Sequence, residues 1–248
     1  MPDVLILGGT GEARELAAVL LDCGVHVVSS LAGRVRDPRL PVGGVRIGGF
    51  GGSEGLAHYL RENSVRVVVD ATHPFAARIT SNAVSACAAA GIACLRLARA
   101  PWTAGPSDQW THVPDVDAAA AVVAERGRRV FLTTGRQDAA AFAGIADVWF
   151  LIRVVDVPDT ALPPHHELLR SRGPYTLECE RELLERNSID LLVTKNSGGD
   201  LTSAKLTAAA ERGIEVVVVD RPREPAGIMS VSTVDDAATR VRALLRVS

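Results

Sequence analysis

The stretch VVVDATHPFAARIT, residues 67–80, decides the fold. It opens as a β-branched run, the pattern of a strand buried on both faces. It ends in an acid, a threonine, a histidine, a proline and an aromatic, and then turns helical. A strand that passes through a short loop into a helix is part of a βαβ unit. The loop carries more than a turn requires. Pro74 disfavours helix at His73 and fixes an extended turn. Asp70, Thr72, His73 and Phe75 add a carboxylate, a hydroxyl, an imidazole and a flat ring, at the strand end where such folds bind ligands.

The same alternation runs outward in both directions. Residues 4–7 form a short apolar run ending in Gly8-Gly9, and 12–21 read as a helix with Leu16, Val19 and Leu20 on one stripe. Strands are expected at 25–28 and 45–47. Ser53 is placed to cap a helix to about Glu62. A helix over 76–90, stopped by Gly91, leads to a strand at 93–97. Residues 101–107 are rich in turn formers and mark a boundary. Beyond it the pattern restarts, with strands at 130–134, 148–155, 191–194 and 215–220. Helices are expected at 116–125, up to Arg186, and at 203–212 and 235–246. The fold class is α/β, with two Rossmann-like parallel-sheet units, 1–107 and a smaller 108–248. A cleft for cofactor and substrate is expected between them.

Composition narrows the function. At 47% apolar the chain can build a sizeable core, and a net charge of −2 offers nothing to a nucleic acid or an anionic membrane. No apolar run reaches the length of a bilayer span. No basic region followed by an apolar stretch opens the chain, so a cytoplasmic location is expected. Cys23, Cys87, Cys94 and Cys179 contain no CxxC pair, which favours buried reduced thiols over zinc or disulfides; no metal is expected. Arginine outnumbers lysine 25 to 2. That bias makes many arginines ordinary surface charges, and it singles out Lys195 and Lys205, which lie in one short stretch.

Gly8-Gly9-Thr10-Gly11, between first strand and first helix, suits a dinucleotide pyrophosphate. Glycines let the backbone approach, and the helix N-terminus attracts the charge. The spacing is imperfect, because Arg14 stands where a third glycine would fall. The second strand ends in Ser29-Ser30-Leu31-Ala32-Gly33-Arg34, with no acid for a ribose diol. Small hydroxyls and Arg34 favour NADPH over NADH. Gly48-Gly49-Phe50-Gly51-Gly52 follows the third strand and invites a flat ligand. In the second half, Arg136 follows a Thr133-Thr134-Gly135 turn. Arg153 interrupts an apolar strand and requires an anion, either a core acid or a substrate carboxylate. Lys195-Asn196-Ser197 follows a strand, with Lys205 on the next helix.

Taken together, LGGTGEAREL, SSLAGR, RIGGFGG, VVDATHPFA, RAPW, TTGR and TKNSGG resemble, in this order and over nearly the whole chain, the precorrin-6A reductase family of corrin-ring biosynthesis. The resemblance implies two α/β units and NADPH-dependent reduction of the tetrapyrrole precorrin-6A to precorrin-6B. A related activity acts on the cobalt-bearing macrocycle. Cofactor contacts are expected from Gly8, Gly9, Thr10, Gly11, Ser29, Ser30, Arg34, Gly48, Gly49, Phe50 and Thr72. Phe75, Arg136, Arg153, Lys195, Asn196, Ser197 and Lys205 would meet the substrate. His73, Lys195 or solvent would supply the proton. A short-chain reductase is the nearest rival, but neither Tyr59 nor Tyr175 has a lysine four positions on. A nucleotide-sensing protein without catalysis would need the GGTG loop and none of the second-half cations.

Overall fold

A computed structural model describes residues 2–33 and 39–246. The first eight elements are β1 (Val4–Leu7), α1 (Gly11–Asp22), β2 (Val27–Leu31), β3 (Gly44–Ile47), α2 (Ser53–Glu62), β4 (Val67–Asp70), α3 (Ala77–Ala90) and β5 (Ala93–Leu97). Next come β6 (Trp110–Val113), α4 (Val116–Arg126), β7 (Arg129–Leu132), β8 (Trp149–Val154), β9 (His166–Arg170), α5 (Leu177–Arg186), β10 (Leu191–Lys195), α6 (Ala204–Glu211) and β11 (Glu215–Val219). The chain ends with β12 (Met229–Val231) and α7 (Val234–Arg246). Two units result, one of residues 1–100 with 222–248, the other of 101–221.

Each unit has its own six-stranded parallel sheet. The order is β3-β2-β1-β4-β5-β12 in the first and β9-β8-β7-β10-β11-β6 in the second. In the first unit the order reverses between β1 and β4, which creates a crevice at their carboxyl ends. Successive residues of β1 serve opposite faces. Val4 and Ile6 pack with α1 and α7, while Leu5 and Leu7 pack with α2 and α3. β4 divides likewise, with Val67 and Val69 on one side and Val68 on the other. All of them are essentially inaccessible to water, and each such side chain contributes about 1.5–3 kcal/mol on burial. This double burial is what the unbroken apolar run predicts.

The helix ends are chemically specified. Thr10 Oγ1 accepts from the Ala13 amide and caps α1, while its hydroxyl donates to Ala71 O at 2.8 Å. One side chain thus ties the loop after β1 to the loop after β4. Gly91 closes α3 in the left-handed conformation, as the sequence predicts. Ser53 does not cap α2. It is the first helical residue, and Gly52, at φ 100°, occupies the cap position with no side-chain hydrogen bond.

The domain boundary also differs from the expectation. The expected second unit, 108–248, loses its last segment to the first. β12 pairs with β5 through Met229, Ser230 and Val231. Val234, Ala237, Ala238 and Val241 bury one face of α7 in the same core as Leu16 and Leu20 of α1. The strands β6, β9 and β12 went unforeseen because they are short, partly exposed edge strands without a clear apolar alternation. Trp102 and Trp110 pack against the core of the second unit. The four thiols are free, but Cys23 and Cys179 are exposed, contrary to the expectation of uniform burial. Among the described residues no helix is long and apolar enough to cross a membrane.

Candidate functional site

Three loops at the carboxyl ends of β1, β3 and β4 line a cavity of about 870 Å³ in the first unit. Gly8 and Gly9 come from the first, Gly48 to Gly52 from the second, and Thr72, His73 and Phe75 from the third, with Ser30 at the end of β2. Gly9, Gly48, Gly51 and Gly52 adopt φ between 81° and 120°, which side chains rarely adopt. Nothing lies within 4 Å of where a Cβ would stand at these four positions or at Gly49. The backbone there is bare towards open space, as close approach of a nucleotide requires.

Residues 70–75 are held by a buried ion pair. Asp70 and Arg96 are buried at 0% and 1% exposure, with Arg96 Nη1 2.8 Å from Asp70 Oδ2. Asp70 Oδ1 accepts from the Thr72 amide at 3.1 Å and from the Thr72 hydroxyl at 2.7 Å. Arg96 also donates to Thr72 Oγ1 at 3.2 Å and to Asp70 O at 3.3 Å. Asp70 is therefore the anchor of the turn. The turn presents His73, whose Nδ1 accepts from the Phe75 amide at 3.3 Å. That bond leaves the proton of a neutral ring on Nε2. The His73 and Phe75 rings lie 5.8 Å apart.

Glu12 is the acid in the first turn of α1, near where a pyrophosphate would gather. Arg99 Nη1 meets its two oxygens at 2.9 and 3.0 Å. Burial opposes the carboxylate, but its own backbone amide and Arg99 outweigh that and hold its pKa below the usual range. Arg99 thus answers a negative charge that would otherwise repel an anion.

Of the cofactor contacts expected in the first unit, Gly8, Gly9, Ser30, Gly48, Gly49, Phe50 and Thr72 line the cavity. Thr10 and Gly11 do not line the cavity and form the N-terminus of α1. Ser29 alternates to the other side of β2 from Ser30, is 1% exposed and does not line the cavity. Arg34 lies outside the described residues. Sequence reasoning passed over Arg46, on β3 in register with Ser30. Its guanidinium lies over the Phe50 ring, 3.8 Å from the centroid, and donates to Gly48 O at 2.6 Å and Gly49 O at 2.7 Å. The cue was a lone base directly before a glycine-rich loop, masked by the abundance of arginine.

Gly55, on the first turns of α2, keeps this loop closed. A Cβ there would stand 1.8 Å from Phe50 O. Gly55→Ala is expected to push the loop outward, lowering stability by about 1–3 kcal/mol and weakening nucleotide binding. Chemical denaturation and equilibrium titration would measure the two effects. Unchanged values in both would mean the loop yields without cost.

The second unit corrects several expectations. Arg153, 8% exposed, makes two bonds to Glu180, at 2.7 and 3.2 Å, and lies 3.9 Å from the Tyr175 ring centroid. Its anion is a core acid, not a substrate. Lys205 is also buried, donating to Thr202 O at 2.6 Å and lying 4.6 Å from the Trp102 ring centroid. The Asn196 side chain accepts from the Trp102 amide at 2.8 Å and donates to Trp102 O at 3.1 Å. Arg221 bonds to the carbonyls of Asn196 and Ser197. These contacts make Asn196 and Lys205 structural, while Ser197 remains partly accessible. Lys195 forms an ion pair with Asp138 and stays partly exposed. Arg136 lies 4.0 Å from Asp156. Asp138 and Asp156 were missed because nothing local in the sequence announces a partner across the sheet.

The model of the family described as "Precorrin-6x reductase CbiJ/CobK" matches residues 3–242. The chain belongs to the precorrin-6x reductase family. A Mycobacterium tuberculosis protein named precorrin-6A reductase is 56% identical over 246 residues, covering 98% of this chain and 99% of that one. A solved structure titled "CobK precorrin-6A reductase" superposes with a TM-score of 0.92 at 43% identity, covering 98% of this chain and 97% of that one. A Priestia megaterium protein named cobalt-precorrin-6A reductase is 30% identical over 234 residues, covering 89% and 91%. Members of this family carry out a reduction in cobalamin biosynthesis, so the chain is an oxidoreductase and a nicotinamide cofactor is implied. The bare glycine loops, the α1 N-terminus and the acid-free end of β2 fit such a dinucleotide.

Proposed function

We propose that this enzyme uses NADPH to reduce precorrin-6A to precorrin-6B, consuming one hydride and one proton and releasing NADP⁺. The observation that carries the cofactor choice is the end of β2. Ser30 faces the cavity there, no acid stands in residues 29–33, and Arg46 lies beside it. The metal-free substrate is favoured by the relatives, since the protein named for it is 56% identical and the one named for the cobalt form is 30% identical.

When bound, the dihydronicotinamide supplies the hydride. The chain's own residues bind, orient and charge-balance. Gly8, Gly9 and the capped N-terminus of α1 take the pyrophosphate. Asp70, through Thr72, fixes the turn that carries His73 and Phe75. His73 faces the cavity as a hydrogen-bond donor through Nε2–H; as proton donor it would act from the imidazolium form, which gives up the bond its Nδ1 accepts from the Phe75 amide. Phe75 offers a flat contact beside it. In the second unit, Arg136 and Lys195 are assigned to the carboxylates of the macrocycle, with Ser197 as a polar neighbour. Asp138 and Asp156 hold the two cations in place while they wait for the substrate.

The test is oxidation of NADPH by the purified enzyme with precorrin-6A, followed with the macrocycle spectrum, and with NADH and the cobalt-bearing substrate in parallel arms. Oxidation with NADPH and the metal-free ring is expected. Equal rates with NADH would overturn the cofactor choice, and activity confined to the cobalt form would overturn the substrate. His73→Ala is expected to lower kcat by roughly 10²-fold or more if His73 transfers the proton, with cofactor affinity little changed. A fall of less than about tenfold would assign protonation to solvent.

A further inference from the structure

Arg46 does something to the β3 loop that simple charge does not describe. Its two terminal nitrogens take the carbonyls of Gly48 and Gly49, two consecutive peptide units. In a trans peptide the C=O and the following N–H point in opposite directions. With both carbonyls turned towards Arg46, the amides of Gly49 and Phe50 turn away from it. Gly48, Gly49 and Phe50 line the cavity, and Arg46 does not. Among the described residues neither of these two amides has a hydrogen-bond partner. Ser30 Oγ accepts from Arg46 at 3.4 Å and also lines the cavity, so its own proton is left for an acceptor there. Paired backbone amides with a hydroxyl beside them and a cation behind form an anion-binding concavity.

We propose that this concavity, built from the Gly49 and Phe50 amides and the Ser30 hydroxyl and shaped by Arg46, binds the 2′-phosphate of the cofactor. The inference rests on the NADPH reading. It assigns the discrimination to a backbone site with Arg46 as a positioning residue. A pyrophosphate is drawn to the other amide-rich site, at the α1 N-terminus. The ribose of the adenosine half lies at the end of β2 in folds of this order, beside Ser30. The stacked Phe50 ring holds the guanidinium flat, so lysine cannot replace it. An ammonium is a point charge without a rigid two-carbonyl fork.

The experiment is equilibrium binding of 2′,5′-ADP and of 5′-AMP, without turnover, to wild type, Arg46→Ala, Arg46→Lys and Gly49→Pro. Wild type is expected to prefer 2′,5′-ADP. Arg46→Ala and Arg46→Lys are expected to lose at least about tenfold in affinity for 2′,5′-ADP, with 5′-AMP binding within about twofold of wild type. Gly49→Pro, which removes one amide and leaves Arg46 in place, is expected to lose the same preference. Should Arg46→Ala fail to fold, Arg46→Lys and Gly49→Pro carry the decision. If wild type binds the two ligands equally, the NADPH reading itself fails, and this inference with it. If wild type prefers 2′,5′-ADP and the Arg46 variants keep that preference, or lose both ligands equally, only the role of Arg46 falls. Full recovery in Arg46→Lys would replace the amide site with simple charge.

Discussion

Asp70→Ala is expected to destabilise the first unit by about 3–5 kcal/mol, the largest effect of any single substitution in residues 67–80. Arg96 is 1% exposed and would keep its charge with no carboxylate in the interior. Glu224, 3.5 Å from Arg96 Nε and 44% exposed, is too solvated to replace it. Thr72 would lose the acceptor for both its amide and its hydroxyl, so the turn carrying His73 would loosen as well. Asp70→Asn should recover part of the turn and little of the stability, because the charge is still missing. Replacing Asp70 and Arg96 together with apolar residues of similar volume should recover much of the loss. Urea denaturation of the four proteins measures this. A fully stable Asp70→Ala that has lost turnover would instead make Asp70 a reacting group.

Arg153→Ala is expected to cost a similar amount, about 3–5 kcal/mol, for the mirror-image reason. Glu180 is 1% exposed and would be left as a buried carboxylate without its two-pronged partner. The rings of Tyr175 and Phe131, stacked on the guanidinium at 3.9 and 4.6 Å, would also lose their contact. The damage should appear in the unfolding midpoint, and KM for the macrocycle should stay near wild type in whatever fraction folds. A normal midpoint with a raised KM would return Arg153 to the substrate site.

These two residues mark the limit of what the sequence reveals. Alternating strands and helices are local, and so β1, β4, α1 and α3 are legible from a few residues each. The glycines of 8–11 and 48–52 are legible for the same reason, since a strand end followed by bare backbone needs no distant partner to be recognised. Asp70, by contrast, looked like site chemistry because its counter-charge stands 26 residues away on a neighbouring strand. Arg153 looked like a substrate anchor because Glu180 sits on a helix 27 residues on. Lys205 drew notice through rarity, yet its ammonium is spent on Thr202 O and the Trp102 ring. Arg46 escaped notice for the opposite reason, as one of many arginines on a short, exposed strand. Charges are read correctly only once their partners are known, and pairing is a property of the tertiary fold.

The return of the chain to its first unit bears on how the protein is made. A ribosome delivers β1 to β5 first, and β12 and α7 only after the whole of the second unit. Until then β5 has an open edge and Leu16 and Leu20 of α1 lack the apolar face that covers them in the finished fold. The second unit is one continuous segment, 101–221, so all its parts are made while the first unit still lacks β12 and α7. The first unit therefore reaches its finished packing only once residues 229–246 are made, after every residue of the second unit is already in place.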